Sequence, residues 1–335
     1  MRICFIGAFG HYVYALQALQ EIESIESVGI SCGYSGENIS EVYQYISERG
    51  YKASVFSTHS EMLDVYQPDI AVISSRLDLN AGISVQALER GVHVFSEKPV
   101  ATSTNDLFLV KNAYIRANIA HKTYFATMLG LRYAPSFYTA WKLTEDENIG
   151  DIRLINTQKS YKFGNRDEFF KHRNLYGGTI PWVGIHAVDW LQWYSSQHFE
   201  SVYAVHSTMN NHGYESLEMT ALCLYTLGNG ILGSVSMDYL RPDNADTHGD
   251  DRVRLVGTRG IIEVQAGKVF LASEEKMFQE MPLQKPGNIF IDFINQVETG
   301  KKCRISAEES FMATEAVLLA RQSADEGKIL SFQQA

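Results

Sequence analysis

The N-terminal third of the chain alternates short apolar runs with segments of helical periodicity, and this alternation constrains the fold more than any other feature. The first apolar run is Arg2–Ile6, and similar runs follow at 28–32, 54–56, 70–74 and 93–96. Between them, apolar residues recur at helical spacing over 12–25, 39–49, 59–66 and 80–90. Short apolar strands separated by helices are typical of a parallel sheet that is covered on both faces. We therefore predict an α/β domain with a doubly wound, Rossmann-like parallel sheet.

The chain after residue 122 has a different pattern, in which longer strands are joined by turn residues. Gly228–Gly230 separates two apolar runs, 224–227 and 231–237, as in a β-hairpin. Residues 252–256 and 261–264 form a second pair of the same kind. Successive hairpins predict a large, mostly antiparallel open sheet.

Two helices are predicted near the end of the chain. The first covers 288–298, and the second opens with Ser306 and Glu309, which have the spacing of a capping box. Together these patterns predict two domains. Residues 1–122 form a dinucleotide-binding Rossmann domain, and residues 123–335 form an α+β domain that binds the substrate.

Composition favours a small molecule as the partner of this chain. Its net charge is −10 and it has no run of lysine and arginine, which argues against nucleic acid or an anionic membrane as partner. Charged or polar residues interrupt every apolar stretch before it reaches the roughly 18 residues of a membrane span, so we expect a cytoplasmic protein. The four cysteines, Cys4, Cys32, Cys223 and Cys303, lack metal-ligand spacing and are interpreted as reduced thiols.

Two motifs are candidates for a functional site. The Glu97–Pro99 motif directly follows the apolar run 93–96, as Gly7 directly follows the first run. Ligands of parallel sheets bind at the carboxyl ends of the strands, so we expect both to face one crevice. The second motif begins with the glycine pair Gly177–Gly178 and continues to His186 on a predicted helix.

These motifs occur in a defined order with Arg132–Pro135, Ile149–Ile152 and Phe290–Ile294. In this order the chain resembles, over essentially its whole length, the Gfo/Idh/MocA family of NAD(P)-dependent sugar and inositol dehydrogenases. The resemblance implies hydride transfer between a nicotinamide cofactor and a CH–OH group of a sugar, inositol or related polyol. It also implies a homo-dimer or tetramer, because in the family the uncovered face of the second domain's sheet makes the dimer.

Two residues are predicted to act on the hydroxyl group that reacts. The Lys98 ammonium can donate a hydrogen bond to the reacting oxygen and stabilise its developing charge. His186, with an ordinary pKa of about 6.5, can accept the hydroxyl proton. Four residues before this histidine, where the family has a carboxylate, the chain has Trp182. Asp189 follows three residues after His186 and is either an orienting partner of the imidazole or a structural helix residue.

The phosphate-binding fingerprint of the first domain departs from the G-x-G-x-x-G pattern. Gly7 is retained, whereas Phe9 and Tyr12 occupy the second and third glycine positions. Gly10 is adjacent, so phosphate can approach the backbone there instead. At the end of the second strand, Gly33 stands where an acidic residue would bind the adenosine ribose.

The sequence leaves NAD and NADP open, with a small preference for NADP. Tyr34 can stack on adenine and Ser35 can contact a 2′-phosphate, although no arginine follows to pair with that charge. Gly130 occupies a position where the family often has an asparagine near the nicotinamide. The predicted cofactor-binding residues are Gly7, Phe9, Gly10, His11, Tyr34, Ser35, Ser74, Glu97 and Lys98.

The predicted substrate contacts are Tyr161, Arg173, Trp182, His186 and Asp189. Trp182 is either a core residue or a stacking wall for a sugar ring. Further polar candidates are Lys162, Asn174, Arg241 and His248. Several aspartates surround His248, but their spacing matches no ligand pattern, so we predict a solvated acidic loop and no metal site.

Two functions are consistent with these motifs. The first hypothesis is an NAD(P)-dependent dehydrogenase acting on CH–OH groups. The alternative is a non-catalytic regulator that keeps the dehydrogenase fold and binds a sugar or a nucleotide. Trp182, Phe9 and Gly33 motivate the alternative, because each departs from the dehydrogenase pattern.

Overall fold

The N-terminal segment folds into the predicted parallel sheet. The computed structural model describes residues 1–333. The strands of this sheet are β1 (Arg2–Ile6), β2 (Ser27–Ser31), β3 (Ala53–Val55), β4 (Ile70–Ile73), β5 (His93–Ser96) and β6 (Phe125–Thr127). Within the described residues they pair in the order β3-β2-β1-β4-β5-β6, and every pair is parallel. The strand order reverses between β1 and β4, so their carboxyl ends border the crevice where ligands of such sheets bind.

The helices predicted at 39–49, 59–66, 80–90 and 288–298 are present, each with ends within three residues of the prediction, whereas the first predicted helix differs more. The helices are α1 (Val13–Ala18), α2 (Ser40–Glu48), α3 (His59–Val65), α4 (Leu77–Glu89), α5 (Thr104–His121), α6 (Pro135–Glu145), α7 (Arg173–Tyr176), α8 (Ile185–Ser195), α9 (Ile289–Thr299) and α10 (Ala307–Glu326). The predicted helix over 12–25 was too long, because α1 continues only as the 3₁₀ turn Leu19–Glu21. Ile22 is extended (φ −113°, ψ 106°), since the chain must leave the helix to begin β2 at Ser27.

The second sheet is mostly antiparallel, as predicted. Its strands are β7 (Ile152–Lys162), β8 (Phe199–Ser207), β9 (Thr220–Leu227), β10 (Ile231–Arg241), β11 (Gly249–Gly257), β12 (Gly260–Gln265), β13 (Lys268–Ser273), β14 (Lys276–Met281) and β15 (Leu330–Ser331). In the described part of the chain they pair in the order β14-β13-β12-β11-β7-β10-β9-β8-β15, with only β7 and β10 parallel. Both predicted hairpins are confirmed, since β9 pairs with β10 and β11 with β12.

The two faces of the second sheet differ in chemistry. In β9 the side chains of Cys223 and Tyr225 are buried, whereas those of Leu222 and Leu224 are exposed. Leu191 of α8 lies on the buried face, against β10. Alternation along a strand places successive side chains on opposite faces. One face of this sheet therefore packs on helices of its own unit, and the other presents leucines to solvent.

The chain divides into two compact units, and their boundaries differ from the single predicted boundary after residue 122. One unit comprises residues 1–130 and 287–314, and the other comprises 131–286 and the residues from 315 onward. β6 extends the first unit beyond residue 122 because it pairs with β5. α9 returns to the same unit, where the rings of Phe290 and Phe293 lie 5.1 and 5.5 Å from that of Phe95. Local sequence patterns do not reveal that α9 belongs to the first unit, because this depends on packing between segments far apart in the chain.

Local signals place the start of α10. The backbone N–H of Ser306 donates to the Glu309 carboxylate at 2.9 Å, and the Glu309 N–H donates to the Ser306 hydroxyl at 3.2 Å. This is the predicted capping box, in which each side chain satisfies a backbone donor that the helix leaves unpaired. Over residues 1–333, no helix combines the length and the apolarity that a membrane crossing requires.

Candidate active site

The glycine turn after β1 is tied to the ends of the neighbouring strands. The Gly7 N–H donates to the Ser31 carbonyl at 3.0 Å, and the Phe9 N–H donates to the Ser74 carbonyl at 2.6 Å. The Ser74 hydroxyl donates in return to the Phe9 carbonyl. A Cβ at Gly7, where φ is +81°, would lie 2.7 Å from the Ser74 carbonyl oxygen. The turn therefore requires glycine here, both for its backbone conformation and for its close approach to β4.

Glu97 holds the other side of this turn. Its carboxylate is fully buried and accepts a hydrogen bond from the His11 N–H at 2.6 Å, and the His11 Nδ1 atom lies 2.9 Å from Oε1. Gly10 also has a φ of +81°, and a Cβ there would lie 2.6 Å from Glu97 Oε2. The strand-end glutamate and the glycine turn, predicted to share a crevice, are thus in direct contact.

Two amides of the turn fit a phosphate group. Within residues 1–333, neither the Ala8 N–H nor the Gly10 N–H donates to an acceptor, and neither residue is buried. Backbone N–H groups in a glycine turn at a strand end are the usual ligands of a cofactor pyrophosphate. The turn therefore retains the donors that a dinucleotide needs, although Phe9 replaces the second glycine of the fingerprint.

An acidic residue reaches the end of β2 from four positions further along the chain. The Glu37 Oε2 atom accepts hydrogen bonds from the Gly33 N–H at 2.6 Å and from the Ser75 hydroxyl at 3.1 Å. A Cβ at Gly33 would collide with the Ser75 side chain. Glycine at position 33 therefore makes room for Ser75, while Glu37 supplies a carboxylate at the end of β2. The fingerprint did not predict Glu37, because it places the acidic residue at the position of Gly33 and Glu37 lies four positions further along the chain.

The remaining predicted adenosine contacts lie on the loops after β2 and β4. Tyr34 is exposed, and its ring centroid lies 5.2 Å from the guanidinium carbon of Arg76. Arg76 donates two hydrogen bonds to Asp78, at 2.6 and 2.9 Å, and these bonds raise the pKa of the guanidinium. Ser35 is exposed on the loop that follows β2. Arg76 was not anticipated as a neighbour of Tyr34, because 42 positions separate the two residues.

Lys98 lies directly beyond β5 and is 2% exposed. Burial of a lysine is unusual unless it has a specific role, so the low exposure is compatible with a pocket residue. Gly130 of the same unit is packed against Tyr14, since a Cβ at position 130 would collide with the Tyr14 ring. The tyrosine thus fills the space that a larger residue at position 130 would need.

In the second unit, Arg173 belongs to an ion-pair cluster that holds the turn before α8. Its guanidinium lies 2.5 Å from buried Glu218 and 2.8 Å from Asp325. Burial by itself lowers the pKa of Arg173, but the two carboxylates outweigh it, so the pKa is raised. Glu218 also accepts from the Tyr176 hydroxyl at 3.0 Å and from the Thr179 N–H at 2.9 Å. Through Glu218, Arg173 is thus connected to residues on both sides of Gly177–Gly178 and helps to hold this turn.

His186 lies in the first turn of α8 and is 2% exposed. A π-helical turn, Ile180–Gly184, leads into this helix and contains Trp182. The spacing of a regular α-helix therefore does not apply between Trp182 and His186. Trp182 is 9% exposed, and its ring lies 6.2 Å from that of Phe170.

Asp189, the alternative orienting partner of His186, takes part in a buried ion pair. Its two carboxylate oxygens accept from Arg132 Nη2 at 2.6 Å and from Arg132 Nε at 2.9 Å. The Gln192 amide donates to the same carboxylate at 3.0 Å. Both charged residues are almost fully buried. Of the two predicted roles for Asp189, these contacts favour that of a structural helix residue, because both carboxylate oxygens accept hydrogen bonds from Arg132 or Gln192.

Tyr161 lies in a cluster with two basic groups. The Lys159 ammonium lies 4.6 Å from the centre of the Tyr161 ring and 2.6 Å from Asp251. The centroid of the His248 ring lies 4.9 Å from that of Tyr161, with the two rings tilted by 36°. Burial, followed by the positive charges of Arg166 and Lys159, lowers the pKa of His248.

The acidic loop around His248 was predicted to be solvated, but two of its aspartates form ion pairs with arginines. Arg241 lies 3.0 Å from Asp246, and Arg252 lies 2.7 Å from Asp250. The Lys162 ammonium donates to a carbonyl of the same loop, at Ala245. Asn174 is exposed on α7.

The parallel sheet, its strand order and the glycine turn after β1 are those of a Rossmann-type domain. Residues 1–122 match the family model described as an oxidoreductase family with an NAD-binding Rossmann fold. Residues 137–263 match the model of the GFO/IDH/MocA C-terminal domain. The chain therefore belongs to the Gfo/Idh/MocA family of oxidoreductases.

Known structures extend this result over the whole chain. A candidate oxidoreductase from Thermotoga maritima is 47% identical, with a TM-score of 0.94 over 99% of this chain and 100% of that chain. Levoglucosan dehydrogenase in complex with NADH and L-sorbose is 16% identical, with a TM-score of 0.83 over 100% of this chain and 99% of that chain. Similarity at 16% identity supports the fold.

A curated relative matches part of the chain. The candidate oxidoreductase YteT of Bacillus subtilis is 24% identical over 160 residues, which is 47% of this chain. The matched region spans 36% of the length of YteT.

Proposed function

We propose that this chain is an NAD(P)-dependent oxidoreductase that transfers hydride between the nicotinamide and a sugar, inositol or related polyol. The observation that carries the proposal is the glycine turn, whose Ala8 and Gly10 amides remain open to a phosphate while Glu97 holds the turn in place. A turn that had lost nucleotide binding would have no reason to keep these donors unused. Family membership supports the same activity, and the relative bound to NADH and L-sorbose is one precedent.

The chain's own residues would handle the hydroxyl group of the substrate. Bound nicotinamide supplies the hydride acceptor or donor. Lys98 is proposed to donate a hydrogen bond to the reacting oxygen and to stabilise charge that develops on it. His186 is proposed to take the hydroxyl proton on oxidation and return it on reduction. Trp182 is proposed as an apolar wall, because an indole cannot share proton transfer as the family carboxylate does.

We propose NAD as the cofactor, although the sequence alone slightly favours NADP. The Glu37 carboxylate lies at the end of β2, where a ribose diol would donate hydrogen bonds to it and a 2′-phosphate would be repelled. Arg76, the nearest basic candidate for a 2′-phosphate, is bound bidentately by Asp78. Both observations favour a neutral ribose over a phosphorylated one.

The alternative function is a regulator that binds a nucleotide or sugar without turnover. Trp182 favours it, because the buried segment before His186 lacks the family carboxylate. The decisive experiment titrates the purified protein with NADH and with NADPH and follows tryptophan quenching, then screens polyols for NADH formation. Micromolar NADH binding with turnover supports the dehydrogenase. Binding without turnover over a broad polyol panel supports the regulator, and failure to bind either nucleotide overturns both the cofactor and the activity.

We also propose that the open face of the second sheet pairs with a second copy of this chain. Leu222, Leu224 and Leu232 are exposed on adjacent strands. On the same face, Ser234 lies opposite Leu224, and Ser236 lies opposite Leu222. Exposed leucines that lie close together on one sheet face form an apolar patch, and such patches often mark protein interaction sites. Replacing Leu222 and Leu224 with glutamate should convert a dimer or tetramer to monomer in size-exclusion chromatography with light scattering. A wild-type monomer at micromolar concentration would refute the proposal.

A further inference from the structure

A cavity of about 880 Å³ opens at the carboxyl ends of the parallel strands β7 and β10, within the second unit. Its lining includes the aromatic residues Phe163, Tyr214 and Tyr239 and the basic residues Arg166 and Arg241. This volume falls in the range of small-molecule sites, which are about 300–1,000 Å³. Aromatic rings offer flat apolar faces, and arginines offer fixed donors for an anion.

Arg166 is the distinctive cation of this cavity. Its guanidinium stacks on the ring of Tyr239 at 4.4 Å and on that of Phe170 at 5.5 Å. Its Nη2 atom donates to the Lys162 carbonyl at 3.2 Å, whereas its buried Nε atom has no acceptor in the described chain. No carboxylate among residues 1–333 forms an ion pair with it. Stacking thus orients the guanidinium while part of its donor set remains unused.

The second arginine of the cavity provides an internal comparison. Arg241 lies 3.0 Å from Asp246 and 3.7 Å from Asp250, so its charge is compensated within the loop. Asp243 also lines the cavity, but it is exposed and forms no ion pair with an arginine within the described residues. A ligand that needs a cation would therefore meet Arg166 rather than Arg241.

Charges of both signs surround Arg166, but the carboxylates pair with other basic residues: Asp246 with Arg241, Asp250 with Arg252 and Asp251 with Lys159. Arg166, Lys159 and Lys162 all act on His248 as positive charges. Of these, Lys159 is paired with Asp251, whereas Lys162 donates to the Ala245 carbonyl and, within residues 1–333, forms no ion pair. Arg166 and Lys162 are thus two cations without a carboxylate partner in the described chain, and such cations attract anionic ligands.

Tyr239 adds a neutral hydrogen-bonding group beside Arg166. It is 2% exposed, and its hydroxyl has no hydrogen-bond partner in the part of the chain that the structure describes. Burial raises the pKa of Tyr239, so the phenol stays protonated at neutral pH and can donate a hydrogen bond. A buried hydroxyl without a partner is unfavourable, and a hydroxylated ligand would supply the missing hydrogen bond.

We propose that this cavity binds a sugar that carries a carboxylate, such as a uronic acid, with Arg166 as the partner of the carboxylate. The guanidinium fork matches a carboxylate in charge and in geometry. Tyr239 is suited to a sugar hydroxyl, and the Phe163 ring to the apolar face of the sugar ring. The inference rests on the proposed dehydrogenase for the reaction, but the binding step can be measured without turnover.

The test compares ligands that differ at C6, where the uronates have a carboxylate and the neutral hexoses a hydroxymethyl group. Calorimetric titrations of the full chain with D-galacturonate and D-glucuronate should give affinities at least tenfold higher than those with D-galactose and D-glucose. In Arg166→Gln the affinity for the uronates should fall by about 10- to 100-fold, as expected for loss of a hydrogen bond to a charged group, whereas the affinity for the neutral hexoses should change little, so that the preference is lost. Arg166→Lys should retain part of it. Arg254→Gln, which removes a surface arginine paired with Glu263, should behave as wild type.

Equal affinities of the wild-type protein for uronates and neutral hexoses would overturn the proposal, as would an unchanged preference in Arg166→Gln. The wild-type comparison needs no variant, so it decides the question even if Arg166→Gln does not fold. NADH titration of the same samples separates the two levels of inference. Uronate preference without NADH binding would refute the proposed dehydrogenase alone, whereas NADH binding without uronate preference would refute the acidic-sugar site alone.

Discussion

Arg132 and Asp189 form a buried, bidentate ion pair across 57 positions of the chain, with N···O distances of 2.6 and 2.9 Å. The arginine precedes α6, and the aspartate lies on α8, three residues after His186. Two parallel hydrogen bonds restrict rotation as well as distance, so this pair fixes α8 within its unit. The family motif at Arg132–Pro135 is therefore explained by packing of the helix that carries the candidate base.

Replacing Asp189 with alanine should strongly destabilise the second unit. It leaves the Arg132 charge buried without its carboxylate, which costs about 3–5 kcal/mol. Urea unfolding followed by circular dichroism measures the loss. The matched control is Asp151→Ala, which removes an exposed aspartate paired with Arg153 and should change the free energy of unfolding by less than about 1 kcal/mol. Similar losses in both variants would contradict a dominant role for the buried pair.

Replacing Lys98 or His186 with alanine should reduce turnover by about 10²- to 10⁴-fold, the usual size of an acid–base contribution. The rate is measured as NADH formation on the best polyol or sugar of the screen. The affinity for NADH should change far less in His186→Ala than the rate does. His198→Ala removes an exposed histidine and should keep wild-type rates. Retention of full activity in either active-site variant would remove that residue from the mechanism.

Replacing Glu37 with glutamine should weaken NADH binding by about 10- to 100-fold, because a ribose hydroxyl loses a charged acceptor. NADPH binding should weaken less or improve, since the repulsion of a 2′-phosphate is removed. Fluorescence titration with both nucleotides gives the ratio of the two Kd values. Glu48→Gln on the same loop–helix segment is the control, because Glu48 is exposed on α2. A wild-type preference for NADPH would contradict the assignment of NAD.

Replacing Gly10 with alanine should impair NADH binding and lower stability more than replacing Gly50. Both glycines have positive φ, +81° and +76°, so both variants bear the same kind of backbone strain. Only at Gly10 does the new Cβ meet Glu97, at 2.6 Å, whereas nothing lies within 4 Å at Gly50. The additional loss should be about 1–3 kcal/mol, as for other overpacked sites, measured by urea unfolding. Equal losses would show that the turn tolerates displacement of Glu97.

Stability should decrease as the pH falls below about 6.5, partly through His93. The His93 Nδ1 atom accepts a hydrogen bond from the Tyr124 N–H at 2.9 Å, and burial lowers the pKa of the imidazole. The unfolded chain therefore binds this proton at a higher pH than the folded chain, so stability is lost between the unfolded and folded pKa values. His93→Asn keeps an acceptor and should lose less stability than wild type between pH 7.5 and 5.5. An identical pH dependence would exclude His93 as a contributor.

Local sequence patterns determined much of the fold. The run 93–96 became β5 with the predicted bounds, both hairpins formed around their glycine-containing turns, and Ser306 and Glu309 formed their capping box. Such features depend on residues within a few positions of each other, so a linear pattern contains the information. The predicted length of the first helix was wrong for the opposite reason. The sheet decides where the chain must leave α1 to begin β2, and the local pattern does not contain that information.

Only the tertiary structure revealed the contacts that shape the candidate sites. Glu37 reaches back to Gly33 and across to Ser75 on another strand end, and Arg132 meets Asp189 from a distant segment. The sequence by itself determined the family, the parallel sheet and the motif residues, because periodicity and motif order are properties of the linear chain. Folding decided that the Glu37 carboxylate lies at the end of β2 and that Arg166 forms no ion pair with a carboxylate among residues 1–333. Charges pair by distance in space rather than by spacing in sequence, so the linear pattern does not contain these contacts.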